Sequence, residues 1–129
     1  MFGASGIRPL RPGLGETTDN PRVLGPAARV HMSLGDLLVY LNAHRDATDF
    51  LRADSWKVLH TPPFGGDYAL GWVVRNDGAL WHNGSNTFWY AEVAFRPADG
   101  ISAAAVCNEA RVAATLAVGT SLLRAAAAV

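Results

Sequence analysis

The sequence predicts an α+β fold, an antiparallel sheet with a long C-terminal helix packed on it. Three observations predict it: an amphipathic stretch that starts after Ser33, four short segments rich in Trp, Val, Phe and Tyr, and a proline-free, alanine-rich tail after Asn108. Short connections between the strand-like segments favour antiparallel neighbours, because parallel strands need a crossover of about a dozen residues or more.

Residues 1–29 hold four of the seven prolines (Pro9, Pro12, Pro21, Pro26) and five glycines. Proline removes a backbone donor and both residue types disfavour regular elements, so this stretch is expected to be an extended surface loop that sustains neither a helix nor a central strand. From Ser33 the pattern changes. Leu34, Leu37, Leu38 and Leu41 fall at i, i+3, i+4 and i+7, with Ser33 placed to cap and Asp36 three residues on, which predicts a helix over 34–44. A shorter helix is expected over 54–60, burying Trp56 and Leu59 and stopped by Pro62-Pro63.

Four strands follow in the prediction, at 68–75, 78–84, 87–95 and 101–108, with Asn76-Asp77-Gly78 and Pro97-Ala98-Asp99-Gly100 as turns between them. Asn108 is a plausible N-cap for a closing helix over 109–127, where Val112, Leu116 and Leu123 recur at helical spacing. The whole is expected to be one unit, with loop over 1–29, helices over 30–67, and sheet plus closing helix over 68–129. There is no internal repeat.

Composition narrows the function classes. Eleven basic residues balance eleven acidic ones and are dispersed, so no electrostatic footprint for nucleic acid or an anionic membrane is present. The single cysteine, Cys107, excludes an internal disulfide and argues against a thiolate metal site. The Gly- and Pro-rich start has no apolar core of a secretory signal, and the apolar run over 112–123 is too short to span a bilayer. Neither a metal nor another cofactor is expected.

Self-contained catalytic signatures are missing. A Ser-x-x-Lys nucleophile needs a lysine, and the only one, Lys57, is preceded three residues earlier by Asp54. No Gly-x-Ser-x-Gly elbow, phosphate-binding loop or His-Glu-x-x-His site occurs. Tyr40-Leu41-Asn42 spells Tyr-x-Asn, but two residues along a helix is a rotation of about 200°, which points the side chains apart. Of the histidines, His31, His44 and His60 stand at or beside predicted helices and read as surface or capping residues.

The informative stretch is Trp81-His82-Asn83-Gly84-Ser85-Asn86-Thr87-Phe88-Trp89-Tyr90. On physics alone the Asn83-Gly84 pair between aromatic runs is a hairpin-turn signal. A second reading places it on a strand edge, where His82 and Gly84 share a face by the period-two alternation of side chains.

Together with its neighbours this segment resembles the His-x-Gly version of the Lys-Thr-Gly motif in serine β-lactamase-related hydrolases, the group of class C β-lactamases, D-Ala-D-Ala peptidases and related esterases. Asp19-Asn20-Pro21, Leu24-Gly25-Pro26-Ala27, Arg29-Val30-His31-Met32-Ser33-Leu34, Leu59-His60-Thr61-Pro62 and Tyr68-Ala69-Leu70-Gly71-Trp72 follow that group in order and spacing. The resemblance runs over nearly the whole chain from Met1-Phe2-Gly3 and implies a C-terminal segment with an incomplete β-lactamase/transpeptidase-like fold.

It also implies roles. His82 would polarise the substrate or assist proton movement, the Ser85 backbone N–H would donate to a developing oxyanion, Gly84 would allow close backbone approach, and Asn83 would offer hydrogen bonds to the bound acyl group. The substrate would be a small molecule: a β-lactam, a D-Ala-D-Ala peptide or an ester. An extended substrate could also pair with the strand by β-augmentation. In the group, the nucleophilic serine, its lysine and Tyr-x-Asn lie upstream of this part, so the chain alone is expected to be inactive, with an N-terminal part of the same enzyme, or self-association, as its partner. Two other readings stand beside this one: a non-catalytic binding module derived from the fold, and a complete small hydrolase using another serine with His82, Ser85 being close in sequence but without an arranged acid partner. The resemblance leaves the location open, with exported or periplasmic and cytoplasmic as the alternatives for the parent enzyme.

Overall fold

The computed structural model describes residues 20–85 and 89–107. Among them, three α-helices precede a four-stranded antiparallel sheet. The helices are α1 (Gly25–Ala28), α2 (Leu34–Asp46) and α3 (Ala53–His60), and the strands are β1 (Val73–Val74), β2 (Leu80–Ser85), β3 (Tyr90–Arg96) and β4 (Ile101–Cys107). The strands lie in sequence order, β1-β2-β3-β4. The closing helix expected over 109–127 lies outside the described residues.

Helix α2 forms as its sequence dictates. The Ser33 hydroxyl oxygen accepts from the Asp36 backbone N–H at 3.1 Å, satisfying one of the orphan donors of the first turn, and donates its own hydrogen to the Asp36 carboxylate. The helix runs to Asp46 and ends at Ala47 in the left-handed conformation, φ 45°. Its buried stripe is Leu37, Leu41 and His44. Helix α3 buries Trp56, whose indole N–H donates to the Thr48 carbonyl at 2.8 Å, while Leu59 is half-buried.

Two expectations need correction. Residues 20–29 are not an extended loop throughout: Arg22–Leu24 forms a 3₁₀ turn and Gly25–Ala28 one α-turn. Pro26 sits in the first turn, where its missing N–H would have had no intrahelical partner. The strand expected over 68–75 shrinks to Val73–Val74. Gly71 adopts φ +91°, a left-handed conformation, and the chain doubles back so that Tyr68 bridges Val73 and the Ala69 N–H donates to the Trp72 carbonyl.

The remaining strands fall close to expectation, and the register fixes both faces of the sheet. Leu80 pairs with Phe95, His82 with Val93, and Gly84 with Ala91, and on β4 these rows continue to Ser102, Ala104 and Val106. That face carries α2, which packs on β3 and β4. The core formed between them contains Leu37, Leu41, Ala69, Trp72, Leu80 and Phe95, with Leu41 and Phe95 fully buried. The opposite face carries the rows of Trp81, Asn83 and Ser85, which pair with Ala94, Glu92 and Tyr90. No helix of the described residues is long and apolar enough to cross a membrane.

Candidate active site

The four residues singled out at 82–85 all lie on β2. Asn83 and Gly84 are strand residues, opposite Glu92 and Ala91, so the hairpin-turn reading of this pair is overturned. A six-residue β2 facing β3 without a break leaves no room for a two-residue reversal at 83–84.

Strand β1 pairs only with Leu80 and Trp81. From His82 onward, β2 has β3 on one side and, among the described residues, no strand on the other. Every second residue of such a stretch aims its backbone N–H and C=O outward. The candidate site is therefore the outer edge of β2 from His82 to Ser85.

His82 projects on the face that carries α2, in the row of Val93, and is half-buried. Burial holds its imidazole below the ordinary histidine range, so it is neutral at neutral pH. The Tyr68 ring stands 6.4 Å from the His82 ring at 59°. Tyr68 reaches it because the tight reversal at Gly71 returns the chain to the sheet beside β2. No sequence signal pointed to this neighbour, since the pairing depends on a reversal that a strand reading of 68–75 hides.

Gly84 shares the His82 face and is exposed. A Cβ built on it meets no atom of the described residues within 4 Å, and its φ is not in the left-handed region, so neither their packing nor backbone conformation demands a glycine there. Asn83 projects to the opposite face, where its amide N–H donates to the Tyr90 hydroxyl at 3.1 Å. Ser85, exposed, lies on that same opposite face. His82 and Ser85 are thus brought together along the strand but not as side chains, and period-two geometry keeps the Ser85 hydroxyl off the His82 ring.

Elsewhere, Tyr40 and Asn42 do separate work, as their helical spacing implies. The Tyr40 ring packs on His44, whereas the Asn42 amide oxygen accepts from Arg45 at 2.9 Å. The reading of His44 and His60 as surface or capping residues is corrected: His44 is only 6% exposed and hydrogen-bonds His60 at 2.8 Å. Leu37, Leu41 and His44 fall at i, i+4 and i+7, a signal that the polarity of histidine conceals. Among the described residues no group of three or more His, Cys, Asp or Glu converges as a metal site.

The chain matches the family model described as Beta-lactamase over residues 4–128, nearly its whole length. It belongs to the beta-lactamase family. No curated protein and no solved structure matches it. Membership accounts for the hydrolase-like α+β architecture. In this member of the beta-lactamase family, the edge residues are His82, Asn83, Gly84 and Ser85.

Proposed function

We propose that this chain acts as the C-terminal portion of a serine β-lactamase-like hydrolase, supplying the His-x-Gly strand but not the nucleophile. The observation that carries the reading is the position of His82 and Gly84: one face, one strand, at the end of β2 that β1 leaves unpaired. A substrate lying along that edge would meet the neutral imidazole of His82 and the open backbone at Gly84. The His82 ring would polarise the scissile group or assist proton movement, and the Ser85 backbone N–H would stabilise a developing oxyanion.

Asn83 would contribute through its amide oxygen or its second N–H, since one of its two N–H donors is given to Tyr90. The nucleophile comes from another part. Acyl transfer at neutral pH needs a nucleophile activated by an adjacent base, and neither Lys57 nor Ser85 is placed to form that pair. The substrates that fit are β-lactams, D-Ala-D-Ala peptides and esters, which share an acyl carbon open to attack.

The test is covalent labelling with a fluorescent penicillin. The chain alone should take up no label, and mixing it with an N-terminal part that carries Ser-x-x-Lys and Tyr-x-Asn should place label on a serine of that other part. If mixing yields binding without labelling, the chain is a non-catalytic module built on the fold.

A further inference from the structure

The most heavily enclosed titratable cluster lies away from the β2 edge. His44 of α2 and His60 of α3 place Nδ1 and Nε2 2.8 Å apart. Two imidazole nitrogens at that distance cannot both present lone pairs, nor both present protons; one proton lies between them. A metal ion in that role would need further ligands, and no third His, Cys, Asp or Glu joins the pair among the described residues.

The surroundings make the pair sensitive to a second charge. The His44 ring touches Tyr40 of α2 at 4.6 Å, Trp56 of α3 at 5.0 Å, Trp72 at 5.1 Å and Phe95 of β3 at 5.7 Å, while His60 touches Trp56 and Phe95. Of these rings only Tyr40 titrates, and it stays neutral throughout the acid range. The charged neighbours in sequence are engaged elsewhere or exposed: Arg45 binds Asp46 and the Gly100 carbonyl, and Lys57 points to solvent. Among the described residues no carboxylate is one of the groups that shift either ring.

We infer that His44 and His60 form a one-proton latch that fastens α3 to α2 and opens when both imidazoles are protonated. A first added proton on the outer nitrogen of the donor ring leaves the shared hydrogen bond in place. A second puts N–H against N–H and two positive charges inside an aromatic cage. Burial and the proximity of His60 hold His44 down at about 4, so opening belongs to mild acid and not to neutral pH. The latched segment leads from His60 through residues 61–67 to Tyr68, whose ring faces His82. The latch rests on its own geometry and stands whether or not His82 has the role proposed above.

The experiment uses the full 129-residue chain labelled with ¹⁵N. At pH 7 the two facing nitrogens should show scalar coupling across the hydrogen bond, and that coupling should be lost on acidification together with a change in Trp56 fluorescence. In the wild type the Trp56 change should follow the second protonation of the pair, at a lower pH than the first. In His60→Gln, which keeps a hydrogen-bonding side chain but removes one imidazole, only one protonation remains and the Trp56 change should lose that lag. Absence of coupling at pH 7 with both rings titrating independently near the ordinary histidine value overturns the latch, and so does a Trp56 signal that stays unchanged once both rings are charged.

Discussion

Asn83 and Tyr90 meet across β2 and β3, the amide of one donating to the hydroxyl of the other at 3.1 Å on the face opposite His82. Tyr90 is buried, so its hydroxyl has this bond in place of water. The contact fixes the β2 backbone at the position between His82 and Gly84, which is how a side chain on one face holds the geometry of the other.

Removing this bond has a measurable cost. Asn83→Ala should lower stability by about 1–3 kcal/mol, because it leaves a buried hydroxyl unsatisfied. Tyr90→Phe in the Asn83→Ala background should recover part of that loss, since no orphaned group remains. Urea unfolding of the two single variants and the double variant measures the coupling, and strictly additive losses would rule out the bond as a stabilising contact.

Acid should destabilise the fold through the histidines. The folded-state values of His44, His60 and His82 are all lowered, chiefly by burial. The unfolded chain therefore binds more protons than the folded one between the ordinary value of 6.5 and the lowered one, about 4 for His44. Their contribution is fully present above 6.5 and is lost progressively as pH falls through that window. Melting temperatures measured from pH 7.5 to 4 should be flat above 6.5 and decline below it. A flat profile down to pH 4 would contradict the burial of these rings.

Glu92 should act in the opposite direction. It is 7% exposed, its Oε2 makes no hydrogen bond among the described residues, and burial raises its pKa, partly offset by Arg75. A raised carboxyl binds more protons folded than unfolded, so its penalty grows as pH rises above the ordinary carboxylate value and stands in full above its own raised value. Glu92→Gln should stabilise the protein at pH 7 by on the order of 1 kcal/mol and have little effect at pH 4, as thermal denaturation at the two pH values would reveal.

These features differ in how far the sequence exposes them. The Ser33 cap, the Leu37–Leu41 stripe and the strands at 80–85, 90–96 and 101–107 follow from local pattern, because capping chemistry and side-chain period act within a few residues. The reversal at Gly71 was hidden, since Tyr68 to Arg75 has strand composition and only a left-handed glycine interrupts it. His82 and Gly84 were legible as a same-face pair once β2 was assigned. Asn83 was not: its partner Tyr90 lies across a register that composition does not set. The same holds for Tyr68 against His82, and for the His44 cage, which draws on α2, α3 and β3.

The edges of the sheet bear on association. Among the described residues no strand covers the outer edge of β4 or of β2 beyond Trp81, and Phe50, Val58 and Phe64 are largely exposed. We propose that the isolated chain self-associates or depends on a partner. Light scattering should show a mass that grows with concentration and falls when a matching N-terminal part is added, whereas a monodisperse monomer at every concentration counts against it.

The last prediction concerns chemistry. An oxyanion donor and a neutral imidazole can bind or orient a substrate, but without an activated nucleophile no acyl-enzyme forms. The purified chain should hydrolyse neither a chromogenic cephalosporin nor a short p-nitrophenyl ester above background. Once an N-terminal part restores turnover, His82→Ala should reduce kcat by about 10²–10⁴-fold, the range typical of a lost proton-transfer group, while leaving assembly intact. His82 is half-buried and is not one of the buried residues of the Leu41–Phe95 core, so its truncation removes chemistry without removing that core. Ser85→Ala should be mild by comparison, since the proposed donor is the backbone N–H and the Ser85 side chain lies on the other face. Stoichiometric labelling of Ser85 by a penicillin in the chain alone would reverse the assignment and make this a complete small hydrolase.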